Sequence, residues 1–443
     1  MARQLFGTDG VRGRAGHFLT AELALALARA AVAHQPQPRP QVLIVRDTRE
    51  SGEMLEAAIA AGVTAAGGDA LLGGVLPTPA APLLVRRHGL HLAAVISASH
   101  NPYEDNGIKL FAADGFKLSD SREHEIEAEL EKPMAAPAAI GHVRRLDGAL
   151  EHYLDALHTR FGKLDLCGRR ILLDCAHGAT YRAAPEIFRR LGAEVEVLAD
   201  QPDGRNINDG CGSTHLEDIC AAMRAGGHDA GFAFDGDGDR VLAVDRTGEV
   251  VDGDELVALA ALHLRRRGRL PGDGVAITVM TNYGFHNAMA AAGIQVATTA
   301  VGDRYVLDEL RRRGWSLGGE QSGHIIELGF GPSGDGIASA LLTLEALAGA
   351  DLADRHAMEK LPQRLVNIRA TDRAALVAAM QDTEVKAATE QEGEALSGRG
   401  RVLVRASGTE PLIRVMVEAP SERETDEVCE RLVGVVQTTL AHR

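Results

Sequence analysis

Short apolar segments alternate with helical segments in three successive stretches of the chain, and each stretch ends in a polar loop. The first stretch contains, in order, an apolar run at 41–45, a helical pattern at 53–66, an apolar run at 70–76, a helical pattern at 80–88 and an apolar run at 92–96. Successive strands that are joined by helices pair in parallel. The pattern returns over 170–235 and over 274–320. The sequence therefore predicts three similar α/β domains with mixed, mostly parallel sheets.

The last part of the chain has a different pattern. Apolar runs at 402–405 and 413–417 flank a polar loop, and Ser421 and Glu424 have the spacing of a capping box that opens a helix. We therefore predict a smaller C-terminal α+β domain. The expected boundaries are 1–155 for α/β domain 1, 156–254 for α/β domain 2, 255–365 for α/β domain 3 and 366–443 for α+β domain 4.

Composition narrows the range of partners. The chain has 443 residues, of which 45% are hydrophobic, so large cores are expected, and its formal net charge is −15. Such an acidic chain is a poor candidate for binding nucleic acid or an anionic membrane. The five cysteines form no CxxC pair, which is typical of buried thiols in a reducing compartment. Because the first ten residues lack the apolar region of a signal peptide, we expect a cytoplasmic protein.

Three polar loops directly follow predicted strands. They are SASHNP at 97–102, DGDGDR at 235–240 and GEQSGH at 319–324. Because open α/β sheets bind ligands beyond the carboxyl ends of their strands, these loops form the candidate site. They offer a hydroxyl nucleophile, a carboxylate cluster and a polar patch that suits a sugar, and this combination indicates metal-assisted phosphoryl transfer.

The carboxylate cluster has the ligand type of a hard cation. Asp235, Asp237 and Asp239 alternate with glycine, so that their side chains can converge on one ion. Oxygen ligands favour Mg²⁺ or Ca²⁺ over zinc. Taken alone, an Asp-Gly repeat fits a solvated acidic turn equally well. An EF-hand is excluded, because Arg240 and Arg246 stand at the loop positions that require glycine and glutamate.

Ser99 and His100 form a candidate nucleophile with a helper side chain. An ordinary turn rich in Ser, Asn and Pro is the commoner explanation of such a tetrapeptide in isolation. Lys109 follows closely and supplies a cation, which favours the functional interpretation.

The loop between the two C-terminal apolar runs has the features of a phosphate clamp. Arg405 and Arg414 flank a loop of small residues whose backbone N–H groups and hydroxyls can donate hydrogen bonds. A hairpin loop with incidental charge is the alternative. The glycine-rich segment at 6–13 and the loops at 301–304 and 320–324 are ambiguous when each is taken alone.

Taken together, the motifs resemble those of the α-D-phosphohexomutase superfamily. The resemblance covers essentially the whole chain, in the order FGTDGVRG at 6–13, SASHNP at 97–102, DGDGDR at 235–240, GEQSGH at 319–324 and RASGTEPLIR at 405–414. The joint match is highly specific. Within the superfamily, the first motif, Gln321 and the segment Gly408-Thr409-Glu410 favour the subgroup that acts on glucosamine phosphates.

The resemblance implies an activity and its cofactors. The implied reaction interconverts glucosamine 6-phosphate and glucosamine 1-phosphate through a phosphoserine enzyme and glucosamine 1,6-bisphosphate, which feeds the synthesis of UDP-N-acetylglucosamine and cell-wall precursors. Ser99 would carry the phosphoryl group. One Mg²⁺ per chain would be held by Ser99, Asp235, Asp237 and Asp239.

The remaining expected roles follow from the resemblance and from the needs of phosphoryl transfer. Arg12 and Lys109 would offset charge on the transferring oxygens, and His324 or His100 would serve the sugar hydroxyl as acid or base. The implied substrate-binding residues are Asp303, Arg304, Glu320, Ser322, His324, Arg405, Ser407, Gly408, Thr409 and Arg414.

Several alternatives stay open on sequence grounds. Within the enzyme class, the runner-up is a phosphoglucomutase/phosphomannomutase, followed by a Mg²⁺-dependent sugar phosphatase. A cation- or sugar-binding protein without activity is the alternative from another class. The expected partners are small sugar phosphates. Whether a kinase or the bisphosphate primes Ser99, and whether the protein is a monomer or a homodimer, is left open.

Overall fold

The computed structural model describes residues 5–7, 9–130, 132, 137, 139–406 and 411–441. The chain forms two compact units, which we call unit 1 (Met1–Val279 and Ala297–Arg355) and unit 2 (Met280–Val296 and His356–Arg443). None of the helices in the described part of the chain has the length and apolar character that a membrane span requires.

The first sheet has six strands in the order β1-β5-β4-β2-β3-β6. Its elements along the chain are β1 (Val11–Arg14), α1 (Ala21–Ala33), β2 (Gln41–Arg46), α2 (Ser51–Ala65), β3 (Asp69–Val75), α3 (Ala80–His88), β4 (Leu92–Ile96), β5 (Asp105–Ala112), α4 (Asp120–Leu130) and β6 (Val143–Arg145). Strand β2 pairs in parallel with β3 and β4, as the βαβαβ pattern predicts. Every residue of β4 is buried, which explains its unbroken apolar sequence.

The second sheet has five strands in the order β11-β10-β9-β7-β8. Its elements are α5 (Ala149–Phe161), β7 (Arg170–Asp174), α6 (Ala183–Arg190), β8 (Glu194–Leu198), α7 (Glu217–Ala225), β9 (Ala230–Phe234), β10 (Val241–Asp245) and β11 (Val250–Val251). Strand β7 pairs in parallel with β8 and β9.

The third sheet has four strands in the order β13-β12-β14-β15. The elements of this region are α8 (Gly253–Arg266), β12 (Gly274–Thr278), α9 (Tyr283–Ala291), β13 (Gln295–Thr299), α10 (Asp303–Arg313), β14 (Leu317–Gly319), β15 (Ile325–Glu327) and α11 (Gly336–Leu347). Strands β12 and β14 are parallel.

One local arrangement recurs in all three sheets and positions the site. In each, a buried strand with a parallel partner runs into a polar loop, and the chain returns as an antiparallel strand: β4 to β5, β9 to β10 and β14 to β15. The return strands were not expected from the sequence, and they are what makes the sheets mixed. The three polar loops are therefore the tips of three equivalent strand pairs.

The C-terminal part of unit 2 is an α+β domain with an antiparallel sheet in the order β16-β18-β17. Its elements are β16 (Gln363–Arg369), α12 (Arg373–Gln381), α13 (Thr383–Ala395), β17 (Arg401–Ala406), β18 (Leu412–Glu418) and α14 (Glu422–Ala441). Ser421 Oγ accepts the backbone N–H of Glu424 at 3.3 Å, as the capping pattern predicts. The predicted fold class is thereby confirmed, whereas the domain boundaries stay a prediction.

Candidate active site

The loops after β4, β9 and β14 meet within unit 1. Ser99 Oγ, in the first loop, donates a hydrogen bond to Asp235 Oδ2 in the second at 2.5 Å. The second and third loops are joined by a β-bridge between Arg240 and His324. His324 Nδ1 lies 3.5 Å from Asp239 Oδ1. The three polar loops that the sequence singles out as a candidate site therefore lie together.

Ser99 is buried and its backbone is strained. Its φ is 54°, in the left-handed region that residues other than glycine rarely adopt. Besides its bond to Asp235, its hydroxyl lies 3.3 Å from His100 Nδ1. Burial, together with the charges of Arg240 and Arg12, lowers the pKa of His100 to about 4. The imidazole is therefore neutral at pH 7 and binds an additional proton only weakly.

Asp235, Asp237 and Asp239 form a compact cluster, which we call the aspartate triad. All three are buried, and one oxygen from each lies within 4.8 Å of the others. The close approach requires glycine at Gly236, where an added Cβ would lie 2.7 Å from the Ser99 carbonyl oxygen.

The triad fits a hard divalent cation. Burial, reinforced by the charges of Asp239 and Asp237, raises the pKa of Asp235 well above its usual value. Among the described residues, Asp237 Oδ1 is buried and receives no hydrogen bond. Buried carboxylates with an unpartnered oxygen are stabilised when they ligate a metal ion, and an all-oxygen ligand set suits Mg²⁺ or Ca²⁺.

Lys109 supplies a cation beside the triad. It lies on β5, opposite Val95 of β4, and its Nζ is 2.8 Å from Asp237 Oδ2 and 3.4 Å from Asp239 Oδ2. Burial lowers the pKa of Lys109, but the carboxylates of Asp237, Asp9 and Asp239 outweigh burial and raise it. The side chain is therefore charged at neutral pH.

Arg12 reaches the serine loop from β1. Its Nη1 donates to the Ala98 carbonyl oxygen at 3.4 Å, and its Nη2 pairs with Asp9. Lys117 Nζ in turn pairs with both Asp9 and Asp303. Arg12, Asp9, Lys117 and Asp303 are thus linked in one network, which Lys109 joins at Asp9 and which reaches His324 of the sugar loop through Asp303.

A cavity of about 500 Å³ opens over these loops, within the size range of small-molecule sites. Its lining includes six of the predicted site residues: Arg12, Asp239, Asp303, Glu320, Ser322 and His324. Glu320 Oε1 accepts the backbone N–H of Gly302 at 3.0 Å, which orients the carboxylate beside the start of α10. The cavity thus combines carboxylate, hydroxyl, imidazole and guanidinium groups.

His324 is buried between two carboxylates. Its Nε2 accepts the Gly334 N–H at 3.2 Å and lies 3.8 Å from Asp303 Oδ2. In the neutral form this places the ring proton on Nδ1, which faces Asp239. Burial lowers the pKa of His324, but the charge of Asp239, with that of Asp303, raises it to about 8. The imidazole of His324 therefore binds a second proton, and carries a positive charge, in a large fraction of molecules near neutral pH.

The remaining predicted residues fall into two groups. The guanidinium of Arg304 is directed to α4, where its Nη2 donates to Glu123 Oε1 at 3.1 Å. Arg405 and Arg414 lie opposite each other on β17 and β18 in unit 2. Ser407, Gly408 and Thr409, predicted to complete the phosphate clamp, lie outside the described residues.

Three site residues were missed on sequence grounds. Thr78 Oγ1 donates to Asp237 Oδ2 at 2.6 Å, and Asp9 and Lys117 complete the charged network described above. Thr78 follows the predicted strand at 70–76, so the rule that sites lie beyond strand ends could have found it. Asp9 stands in the amino-terminal motif, three residues before Arg12, whereas no local pattern marks Lys117.

Family models place most of the chain in one group of proteins. Those described as phosphoglucomutase/phosphomannomutase match α/β/α domain I at residues 3–136, domain II at 151–248, domain III at 252–367 and the C-terminal domain at 365–435. A curated relative, the phosphoglucosamine mutase of Moorella thermoacetica, is 49% identical over 435 residues, which are 96% of this chain and 97% of that protein.

Two solved structures share the fold. A phosphoglucomutase/phosphomannomutase family protein from Burkholderia thailandensis has a TM-score of 0.82 at 23% identity, covering 98% of this chain and 97% of that one. The N-acetylphosphoglucosamine mutase of Aspergillus fumigatus, solved with GlcNAc-6P and magnesium, has a TM-score of 0.68 at 19% identity and covers 99% and 96%. The chain therefore belongs to the phosphoglucomutase/phosphomannomutase family, in the group of the phosphoglucosamine mutases, and is an enzyme of the isomerase class.

Proposed function

We propose that the protein interconverts glucosamine 6-phosphate and glucosamine 1-phosphate, with Ser99 as the phosphoryl carrier. The observation that carries the proposal is the 2.5 Å contact between Ser99 Oγ and Asp235 Oδ2, which brings a hydroxyl to the edge of the buried aspartate triad. The name of the relative from Moorella thermoacetica supports the amino sugar as substrate.

The proposed reaction has two transfers. In the first, the P–O bond at Ser99 Oγ breaks, a bond forms between phosphorus and the free sugar hydroxyl oxygen, and the hydroxyl proton leaves to a base. Ser99 Oγ takes up a proton as its bond to phosphorus breaks, so the products are glucosamine 1,6-bisphosphate and a free serine hydroxyl. In the second transfer, the bond between phosphorus and the other sugar oxygen breaks and a bond to Ser99 Oγ forms, while the proton of the serine hydroxyl leaves to a base and the released sugar oxygen takes up a proton. The net change is the position of one phosphate on the sugar.

One Mg²⁺ per chain is the metal we propose for the aspartate triad, with an oxygen of Ser99 as a further ligand. When bound, it would withdraw charge from the phosphoryl oxygens. Lys109 and Arg12 reach the serine loop and the triad, where their charges neutralise the same oxygens. Such charge stabilisation and alignment are the main needs of phosphoryl transfer.

The acid–base role falls to one of two histidines. His100 Nδ1 lies 3.3 Å from Ser99 Oγ, close enough to exchange a proton with that hydroxyl, and with a pKa of about 4 it would give the proton up again readily. His324 lines the cavity and is suited to exchange a proton with a sugar hydroxyl there. Both assignments stay proposals, because the sugar pose decides between them.

Binding of the sugar is proposed to rest on Glu320, Ser322 and Asp303, which line the cavity. Arg304, in view of its pairing with Glu123, would act by holding the start of α10. Arg405, Arg414 and the loop between them would bind the phosphate that is not reacting. Because the bisphosphate must present each end to Ser99 in turn, these contacts must tolerate two poses.

The cellular setting follows from the proposed reaction. A cytoplasmic enzyme of this activity would supply amino sugar phosphate for UDP-N-acetylglucosamine and cell-wall precursors. Priming of Ser99 by a kinase or by the bisphosphate, and a monomeric or homodimeric state, stay open predictions.

The proposal is tested by comparing substrates. The purified protein is assayed with Mg²⁺ and a trace of glucose 1,6-bisphosphate on glucosamine 6-phosphate, glucose 6-phosphate and mannose 6-phosphate, and both sugar 1-phosphate and free phosphate are measured. We expect kcat/KM for the amino sugar to exceed the others by at least about tenfold, with little free phosphate. A preference for the hydroxy sugars would make the protein a phosphoglucomutase/phosphomannomutase, and stoichiometric free phosphate would make it a phosphatase.

A further inference from the structure

Arg49 is a fully buried arginine in the loop between β2 and α2, and every one of its N–H donors has an acceptor. Its Nε donates to the Asp47 carboxylate at 2.9 Å. The two terminal nitrogens donate to four backbone carbonyl oxygens, those of Ser99, Asn101, Pro102 and Asp105. All four carbonyls belong to the serine loop and its exit into β5, so the whole guanidinium edge is committed to that one segment.

The backbone of Ser99 receives support from two further directions. Its carbonyl oxygen, 2.9 Å from Arg49 Nη2, also accepts from Asn208 Nδ2 at 2.9 Å. Its N–H donates to Ser97 Oγ at 3.0 Å, and the Ser97 hydroxyl donates to Asp47 Oδ2 at 2.5 Å. Asp47 therefore binds both the guanidinium and the hydroxyl that hold the two sides of Ser99.

The strained φ of Ser99 explains why such support is needed. A serine in the left-handed region has a lower-energy alternative, and it stays there only when its surroundings over-determine the conformation. The direction of the Cα–Cβ bond, and hence the position of Oγ relative to Asp235, depends on that conformation. Loss of the side chains that donate hydrogen bonds to the Ser99 carbonyl oxygen would let the peptide rotate and move Oγ away from Asp235.

We propose that Arg49, assisted by Asn208, is a positioning residue that holds Ser99 in the conformation that aims Oγ at the aspartate triad. The inference rests on the proposed function in that Ser99 is taken as the phosphoryl carrier. Arginine is required because its planar fork reaches carbonyls on both sides of one segment, whereas a lysine ammonium is a single point with three donors.

The first test compares Arg49→Lys with a matched control, Arg160→Lys. Arg160 is also largely buried, but its hydrogen bonds go to the carboxylates of Glu327 and Glu345 and none reaches the serine loop. We expect Arg49→Lys to lower kcat about 10- to 100-fold, because small misplacements of a reacting atom have effects of this size. The KM for glucosamine 6-phosphate should change less than about twofold, because Arg49 does not line the cavity.

A second readout does not depend on activity. Hydrogen exchange followed by mass spectrometry on peptides that cover 97–106 should be about tenfold faster in Arg49→Lys than in wild type. The same peptides should exchange at the wild-type rate in Arg160→Lys. If wild type proves inactive on every sugar phosphate while this difference holds, the proposed function fails and the positioning role stands.

Asn208→Gly serves as a second variant should Arg49→Lys fail to fold. The φ of Asn208 is 59°, so glycine keeps the backbone conformation and only the amide donor is lost. We expect kcat to fall about 3- to 10-fold, and the effects of Asn208→Gly and Arg49→Lys to be non-additive because both act through the Ser99 carbonyl. An unchanged kcat and an unchanged exchange rate in folded variants would overturn the proposal, as would equal losses of kcat in Arg49→Lys and Arg160→Lys.

Discussion

Asp237→Asn is expected to lower kcat about 10²- to 10³-fold, the range seen when one electrostatic contact to a reacting centre is lost. The Oδ2 atom of Asp237 is held by Lys109 at 2.8 Å and Thr78 at 2.6 Å, whereas its Oδ1 is buried without a hydrogen bond among the described residues. The side chain is thus held at one oxygen by two donors, and its other oxygen is left to ligate a cation in the triad. An amide at this position removes one negative charge from the metal site and weakens Mg²⁺ binding.

The measurement is kcat as a function of Mg²⁺ concentration. The Mg²⁺ concentration for half-maximal activity should rise in Asp237→Asn. Asp245→Asn is the matched control, because Asp245 is a buried carboxylate at the end of β10 that pairs with Arg355 at 2.8 Å and lies outside the triad. The control should lose stability and keep the wild-type Mg²⁺ dependence. Wild-type turnover with unchanged Mg²⁺ dependence in Asp237→Asn would contradict the ligand assignment.

Lys109→Met is expected to lower the free energy of unfolding by about 3–5 kcal/mol in the absence of divalent cations. Lys109 Nζ contacts Asp237, Asp239 and Asp9, and it is buried. Methionine fills a similar volume but leaves three acidic side chains without that cation. Mg²⁺ should restore much of the lost free energy of unfolding, because a divalent cation in the triad would neutralise Asp237 and Asp239, two of these three side chains. Turnover should also fall strongly, since Lys109 is proposed to neutralise the transferring oxygens.

The corresponding experiment is denaturant unfolding with EDTA and with saturating Mg²⁺. Lys117→Met is the control, because Lys117 is a largely buried lysine that pairs with Asp9 and Asp303 rather than with the triad. The Lys117→Met variant should lose a similar free energy of unfolding in EDTA and in saturating Mg²⁺. If Mg²⁺ stabilises Lys109→Met no more than wild type, the triad does not hold the cation.

The sequence predicts the parallel strands well because these strands are buried and unusually apolar. Strands β4 and β9 are buried at every position and end where the sequence indicates. The return strands lack such a signal. Strand β5 begins with Asp105, Asn106 and Gly107, which disfavour strands, and β15 has only three residues. They form because the neighbouring parallel strand offers unpaired backbone groups, which is a property of the tertiary structure.

The residues of the proposed site show the same difference between those that a local sequence pattern marks and those that only the tertiary structure brings together. Ser99 and the triad, which we propose as phosphoryl carrier and metal ligands, can be predicted from the sequence because each lies in a short motif directly after an apolar run, although Ser99 and Asp235 are 136 residues apart. Arg49 and Asn208 lie 50 and 109 residues from Ser99, and Lys117 lies 186 residues from Asp303. Their roles depend on chain segments that approach only after folding, so no local pattern marks them.

Arg304 shows the converse case. The resemblance to the superfamily implies a substrate contact for it, but its guanidinium donates hydrogen bonds to acidic side chains of α4. Membership of a motif therefore indicates that a residue lies near the site. The direction of a long charged side chain depends on the oppositely charged groups around it in the folded protein.

The central claim is that Ser99 carries the phosphoryl group, and its most direct test is a coupled assay of wild type and Ser99→Ala. Both proteins are given glucosamine 6-phosphate, Mg²⁺ and a trace of glucosamine 1,6-bisphosphate, after thermal unfolding has shown that both are folded. We predict that wild type forms glucosamine 1-phosphate and that Ser99→Ala forms none above background. Formation of glucosamine 1-phosphate by both proteins at similar rates would contradict the account.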